Sequence, residues 1–262
     1  MKTITSRKNP VAMHLKKLGN SRAYREERGE FLCDGIKLLE EAVSSGIEIV
    51  SVITSNEIPL ALPSNTAIYN ADRELIDSLS PLKNSQDTLF SCKTPPNYMD
   101  GHSEFKGTHI LLDGMQDPGN VGAIIRTADA FNIDSVILTE GCADPFNPKT
   151  IRASMGAIFR QRINNVTMAE LLALKESGTR FVGAAQGEDC LDIRSVRPDD
   201  AIIAIGSEGQ GLSSDVLSLC DEKITIPIAP QCESLNAATA AAIIIWQYSA
   251  FRIPNCKAIK EV

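Results

Sequence analysis

Residues 111–130, LLDGMQDPGNVGAIIRTADA, constrain the fold more than any other stretch of this chain. An apolar run ends at Asp113, and a turn-forming segment with Gly114, Asp117, Pro118, Gly119 and Asn120 follows. A helical periodicity of apolar residues then begins at Val121. The order strand, loop, helix is the unit from which parallel sheets are built. Ligands sit in loops at the carboxyl ends of such strands, where a helix N-terminus offers free N–H groups.

The same alternation runs through the rest of the chain. Residues 9–28 read as a polar helix with Val11, Leu15 and Leu18 at helical spacing, broken at Gly19 and Asn20. A short strand at 31–33, an amphipathic helix at 35–45, strands at 47–55, 67–70 and 89–93, and a helix at 72–79 capped by Asp72 make a small α/β domain. Paired prolines and glycines in TPPNYMDGHSEFKG then mark a linker. The expected organisation is a domain at 1–93, a linker at 94–106 and a second domain at 107–262. In the second domain, strands at 109–113, 135–139, 181–185, 201–205 and 224–228 are nearly continuous in apolar residues, as in a parallel sheet covered on both faces. Helices are expected at 121–131, 149–159, 171–177 and 235–251, with Asn120 and Ser234 as N-caps.

Composition excludes several classes. No apolar run reaches the roughly 20 residues of a membrane helix, and the first residues lack the apolar core of an export signal. The seven cysteines are scattered, odd in number and without a C-x-x-C pair, which fits free thiols in a reducing cytoplasm rather than disulfides or a metal site. A net charge of −7 argues against gripping nucleic acid by bulk electrostatics. The first thirty residues are locally basic, however, with Arg7, Lys8, Lys16, Arg22 and Arg25 among the cations that could follow a phosphate backbone. A solvated helix surface accounts for the same charges.

Three segments carry chemistry. In the first, Val121, Ile124, Ile125, Ala128 and Phe131 share a core face, and Arg126 falls roughly opposite, on the face of Gly122, where a ligand could lie. A nicotinamide site would want G-x-G-x-x-G here, and Pro118 stands in the turn instead. The second segment, AIIAIGSEGQGLS, runs an apolar strand into a glycine-rich bend holding Glu208, neither a dinucleotide fingerprint nor a phosphate loop. The third, ITIPIAPQCESLNAATAAAIIIW, leads through Ser234 and Asn236 into an alanine-rich helix, without the glycines of a nucleophile elbow around the serine.

Taken together and in order, LDGMQDPGNVGAIIRTADA, NPKTIRASMGAIFR, IGSEGQGLS and IPIAPQCESLNAATAAAI resemble the SpoU/TrmH-type RNA ribose 2'-O-methyltransferases of the SPOUT superfamily. FLCDGIKLLEEAVSSGIEIVSVI is similar to that family's small RNA-binding domain. The resemblance implies a C-terminal parallel-sheet SPOUT domain tied in a deep trefoil knot, preceded by a small α/β ribosomal-protein-like RNA-binding domain. It implies S-adenosylmethionine as cofactor, held at Gly206, Ile226 and Leu235, with Glu208 and Gly211 shaping the bend. It further implies an active site of Asn120, Arg126, Ser234 and Asn236, a homodimer joined through the last helix, and ribosomal RNA as substrate, with transfer RNA the alternative. Arg152 and Arg160 are further candidate phosphate contacts. A catalytically silent RNA-binding protein would keep the fold without consuming the cofactor.

Overall fold

The structure, a computed structural model, describes residues 2–95, 98–100, 106–187, 189–197 and 199–249. Packing divides the chain into two units, one of Met1–Tyr98 with Ala143–Arg160, the other of Met99–Cys142 with Gln161–Val262.

The first unit opens with β1 (Lys2–Thr3), α1 (Pro10–Asn20), α2 (Arg22–Arg28), β2 (Glu30–Asp34), α3 (Ile36–Ser44), β3 (Ile49–Thr54), β4 (Ala67–Asn70), α4 (Arg73–Leu79) and β5 (Thr88–Lys93). Its five-stranded sheet has the order β1-β4-β3-β5-β2, parallel across the first three strands and antiparallel across the rest. Helix α1 begins where Asn9 accepts from the Val11 amide, with Pro10 in the first turn, where its missing N–H costs nothing. The helix runs through Gly19 and ends at Ser21, which caps α2. Leu15 and Leu18 are fully buried with Leu32, Ile53, Ile76 and Leu89, each such side chain stabilising the fold by about 1.5–3 kcal/mol. Asp72 caps α4 as its sequence signal requires.

Strand β6 (Tyr98–Asp100) begins at the last residue of the first unit, and β7 (Thr108–Asp113), α5 (Pro118–Ala130) and β8 (Ser135–Leu138) follow in the second. The chain then contributes residues 143–160, including α6 (Pro148–Ser154), to the first unit. Phe146 and Phe159 there stack on Phe31 with ring centroids 4.7 and 6.3 Å apart. Helix α6 stops five residues before the expected 159, because Met155 and Gly156 take left-handed backbone (φ 50° and 90°) before a short 3-10 turn. The chain returns as β9 (Ile163–Asn165), α7 (Met168–Glu176), β10 (Arg180–Ala184), β11 (Leu191–Asp192), β12 (Ala201–Gly206), α8 (Ser214–Leu219), β13 (Glu222–Thr225) and α9 (Ala237–Ser249).

The second sheet has the order β11-β13-β10-β12-β7-β8-β9-β6, and its pairings from β11 through β9 are all parallel. Strands β8 and β9 extend it on one side of β7, whereas β12, β10 and β13 lie on the other. The strand order therefore reverses between β7 and β12, the place where open α/β sheets bind ligands. Strand β13 ends at Thr225 rather than 228, since Pro227 has no N–H for a ladder. No helix among the described residues is long and apolar enough to cross a membrane.

Candidate active site

The site is built at that reversal. Asp113 and Gly206 are register partners at the carboxyl ends of β7 and β12. After Gly206, Ser207 and Gly211 form a small antiparallel bridge, exchanging N–H to O bonds of 3.1 and 2.9 Å, which folds the glycine-rich bend back on itself. A Cβ on Gly206 would collide with the Gly211 carbonyl and the Leu212 amide, and Gly211 sits at φ 69°. Both glycines are thus required by geometry. The far end of the bend is tied down by Asp113, whose carboxylate accepts from the Ser213 amide at 2.7 Å. Sequence reasoning missed Asp113 as a site residue, although a carboxylate closing an apolar strand beside the loop was its signal.

Glu208 is the hub of the polar cluster. Its Oε1 accepts from Asn120 Nδ2 at 3.0 Å, from Asn236 Nδ2 in a short contact, and from the Ala237 amide at 3.3 Å. Asn236 Nδ2 also donates to Asn120 Oδ1 at 3.2 Å. Residues separated by more than a hundred positions are drawn together in this way. The carboxylate also meets the positive end of α9, a favourable placement.

Two expected caps are corrected here. Helix α5 begins at Pro118, three residues before the expected start, because Asp117 caps it by accepting from the Asn120 amide at 2.8 Å. Asn120 consequently lies inside the first turn, with its side chain free to reach Glu208. Helix α9 begins at Ala237, and Asn236 Oδ1 caps it by accepting from the Ala238 and Thr239 amides at 3.0 and 3.2 Å. Ser234 caps nothing and lines a cleft instead. The expected end at 251 lies outside the described residues.

That cleft, of about 420 Å³, is lined by Gly206, Glu208, Gly211, Ile226, Ser234 and Leu235, with Ile205, Ile224, Ile228 and Ile244 among its apolar walls. Its size lies within the roughly 300–1,000 Å³ of small-molecule sites. All five expected cofactor residues therefore face one cavity. Gln186 adds a strut unseen in the sequence, its Nε2 donating to the Glu233 carbonyl at 2.9 Å and bracing the loop before α9. Apolar walls, a backbone-lined bend and a single carboxylate suit a cofactor that is part apolar and part cationic.

Arg126 stands exposed on α5 and makes no hydrogen bond or ion pair among the described residues. Gly122 is buried, so the helix is covered at the point where an open shelf was expected.

The basic candidates of the first unit separate by exposure. Lys8 and Lys16 are exposed. Arg7 and Arg22 are exposed too, each beside a surface carboxylate, Glu74 at 3.4 Å and Glu26 at 2.8 Å, pairs that contribute little. Arg25 is only 6% exposed; its Nε donates to Asp144 Oδ2 at 3.0 Å and its guanidinium to the Leu18 carbonyl at 2.6 Å. It holds the inserted segment, and is corrected from an RNA contact to a buried strut. Arg152, 3.3 Å from Asp34, and Arg160, paired with Glu41, likewise tie that segment to the first unit. Replacing Arg25 by alanine is expected to cost about 3–5 kcal/mol by leaving Asp144 unpaired. Thermal unfolding should show a large drop in Tm, with RNA affinity per folded molecule unchanged.

Comparison with known proteins follows the same division. A family model described as the SpoU rRNA Methylase family matches residues 107–246, and one described as the MRM3-like substrate binding domain matches residues 1–89. The chain is 30% identical to the 23S rRNA (guanosine(2553)-2'-O)-methyltransferase RlmP of Bacillus subtilis, over 94% of this chain and 98% of that protein. It is 31% identical to a 23S rRNA (uridine(2479)-2'-O)-methyltransferase of Streptomyces viridochromogenes, over 93% and 90% respectively. The solved structure of AviRb from Streptomyces viridochromogenes with AdoMet superposes with a TM-score of 0.81 at 26% identity, covering 94% of this chain and 98% of that one.

Proposed function

Because the chain belongs to the SpoU rRNA methylase family, we propose that its cleft holds S-adenosylmethionine and that Arg126, Asn120, Ser234 and Asn236 serve methylation of a ribose 2'-hydroxyl in ribosomal RNA. The observation that carries this reading is the convergence of Asn120, Glu208 and Asn236 at the rim of the Gly206 cleft. When bound, S-adenosylmethionine supplies an electrophilic methyl group.

Gly206, Ile226 and Leu235 would hold it, with Glu208 and Gly211 fixing the bend. Asn236 is fully engaged, with its amide hydrogens on Glu208 and Asn120 and its Oδ1 on the Ala238 and Thr239 amides, so it positions Asn120, whose remaining amide hydrogen and lone pair meet a ribose without reorganisation. A guanidinium is effectively always protonated and makes a poor base. Arg126 instead stabilises negative charge as it develops on the 2'-oxygen, whose proton passes to solvent water, and grips the neighbouring phosphate. The relatives named above act on 23S rRNA, which favours ribosomal over transfer RNA. Titration calorimetry tests the cofactor assignment, with saturable binding of S-adenosylmethionine expected and its absence contradicting it. The knotted chain path and a cytoplasmic location belong to the same reading.

The homodimer is part of this proposal. Helix α9 leaves Ile243 and Trp246 37% and 56% exposed, an apolar pair one turn apart. Trp246 packs edge-on against Phe131 at 5.5 Å, which stiffens the patch. Light scattering is expected to give twice the chain mass of 28.3 kDa, and Trp246→Glu to shift it to the monomer.

A further inference from the structure

One cluster in the first unit only partly belongs to its core: Tyr24 packs against the Leu15 and Leu18 cluster yet keeps part of its ring in solvent. Tyr24, half-buried on α2, has the Lys17 Nζ 5.4 Å and the Arg28 Cζ 5.3 Å from its ring centroid, both within cation–π range. The ring is held from behind. Tyr24 OH lies 3.0 Å from His14 Nδ1, His14 Nε2 lies 3.0 Å from Glu30 Oε2, and Lys93 Nζ donates to Glu30 Oε1 at 2.8 Å. Glu30 is 8% exposed. Burial works against its charge, yet Lys93 and His14 outweigh burial and keep its carboxyl below the usual range, a lasting acceptor for the relay. From below, Ser21 accepts from the Tyr24 amide at 3.2 Å.

The relay fixes the ring but leaves the two flanking cations incompletely compensated. Lys17 is exposed and meets no carboxylate among the described residues. Arg28 has only Glu27, 3.7 Å away, with both side chains more than half exposed. Such a pair is weak and yields readily to a phosphate. A held aromatic ring under incompletely compensated cations is a combination with which proteins hold single-stranded RNA: a base takes the cations' place on the ring while they move to its phosphates.

Resting on the reading that this chain modifies RNA, we propose that Tyr24, Lys17 and Arg28 form an RNA-docking site on the substrate-binding unit, with Tyr24 stacking an unpaired base and Lys17 and Arg28 contacting its phosphates. His14, Glu30 and Lys93 are positioning residues for the ring.

The test uses the full chain and protein-free large-subunit ribosomal RNA, with calorimetry of S-adenosylmethionine binding as the check on folding. Tyr24→Leu, which keeps apolar bulk for the core, should weaken RNA binding about tenfold or more, and Tyr24→Phe, which keeps the ring but loses its bond to His14, should weaken it less. The double variant Lys17→Ala/Arg28→Ala should weaken binding and flatten the dependence of log affinity on log salt by about 1.4, two contacts' worth on a single strand. In turnover, KM for RNA rises and kcat at saturating RNA holds. Wild-type affinity and salt slope in both Tyr24→Leu and the double variant, with cofactor binding intact, would overturn the docking site alone. A wild-type protein that binds the cofactor but neither binds nor methylates this RNA would overturn the underlying reading and the docking site with it.

Discussion

Arg126→Ala is expected to slow single-turnover methyl transfer by about 10²–10³-fold, the usual cost of removing one donor to a developing oxyanion. Affinity for S-adenosylmethionine should be unchanged, because Arg126 lies outside the cleft-lining set. Stability should also hold, since the side chain is exposed and bonded to nothing among the described residues. Arg126→Lys separates charge from geometry. A lysine keeps the cation but loses the planar fork that addresses an alkoxide and a phosphate together, so it should recover only a small part of the rate. Near-normal rates in Arg126→Lys, with cofactor binding intact, would remove the bidentate role as an explanation.

The second large effect is expected at Gly206. Here the damage is steric, since an added Cβ meets the Gly211 carbonyl and the Leu212 amide, which are backbone and cannot swing aside. The Ser207–Gly211 bridge must open, and with it goes the placement of Glu208 that joins Asn120 to Asn236. Gly206→Ala should therefore lower cofactor affinity by about two orders of magnitude and destabilise the fold by about 1–3 kcal/mol, the range for overpacking. Calorimetry and denaturant unfolding read the two effects separately. Gly209, by contrast, has nothing within 4 Å of a built Cβ, and Gly209→Ala should leave stability nearly untouched. Equal behaviour of the two alanine variants would refute the steric argument.

What could be read from the sequence was what local pattern decides. The apolar strands β7 and β12, the core face of α5 with Val121, Ile124, Ile125 and Ala128, and the cap at Asp72 all follow from periodicity and short-range hydrogen bonding. The cleft residues were reached through the resemblance, and the structure brings Gly206, Glu208, Gly211, Ile226 and Leu235 to one cavity. The errors lie where distant groups compete. Ser234 was a reasonable cap for α9, but Glu208, nearly thirty residues earlier, takes the Ala237 amide and the Asn236 side chain, which starts the helix later. Asn120 was a reasonable cap for α5, yet Asp117 has an equally suitable carboxylate followed by a proline that favours the first turn. Arg25 looked like its neighbours because charge patterning does not reveal Asp144, 119 positions away, which buries it. Short elements such as β1, β9 and α8 carry too few residues for a periodic signal.

The central claim is that this chain places a methyl group on a ribose oxygen of ribosomal RNA. Incubating the purified protein with S-adenosylmethionine and large-subunit ribosomal RNA, digesting the RNA to nucleosides and separating them by mass spectrometry tests it most directly. The expected product is a 2'-O-methylnucleoside whose extra methyl mass resides on the sugar fragment, formed about 10²–10³-fold more slowly when Arg126→Ala replaces the wild type. A methyl group on the base fragment, or no transfer by a protein that binds both RNA and cofactor, would contradict the assignment.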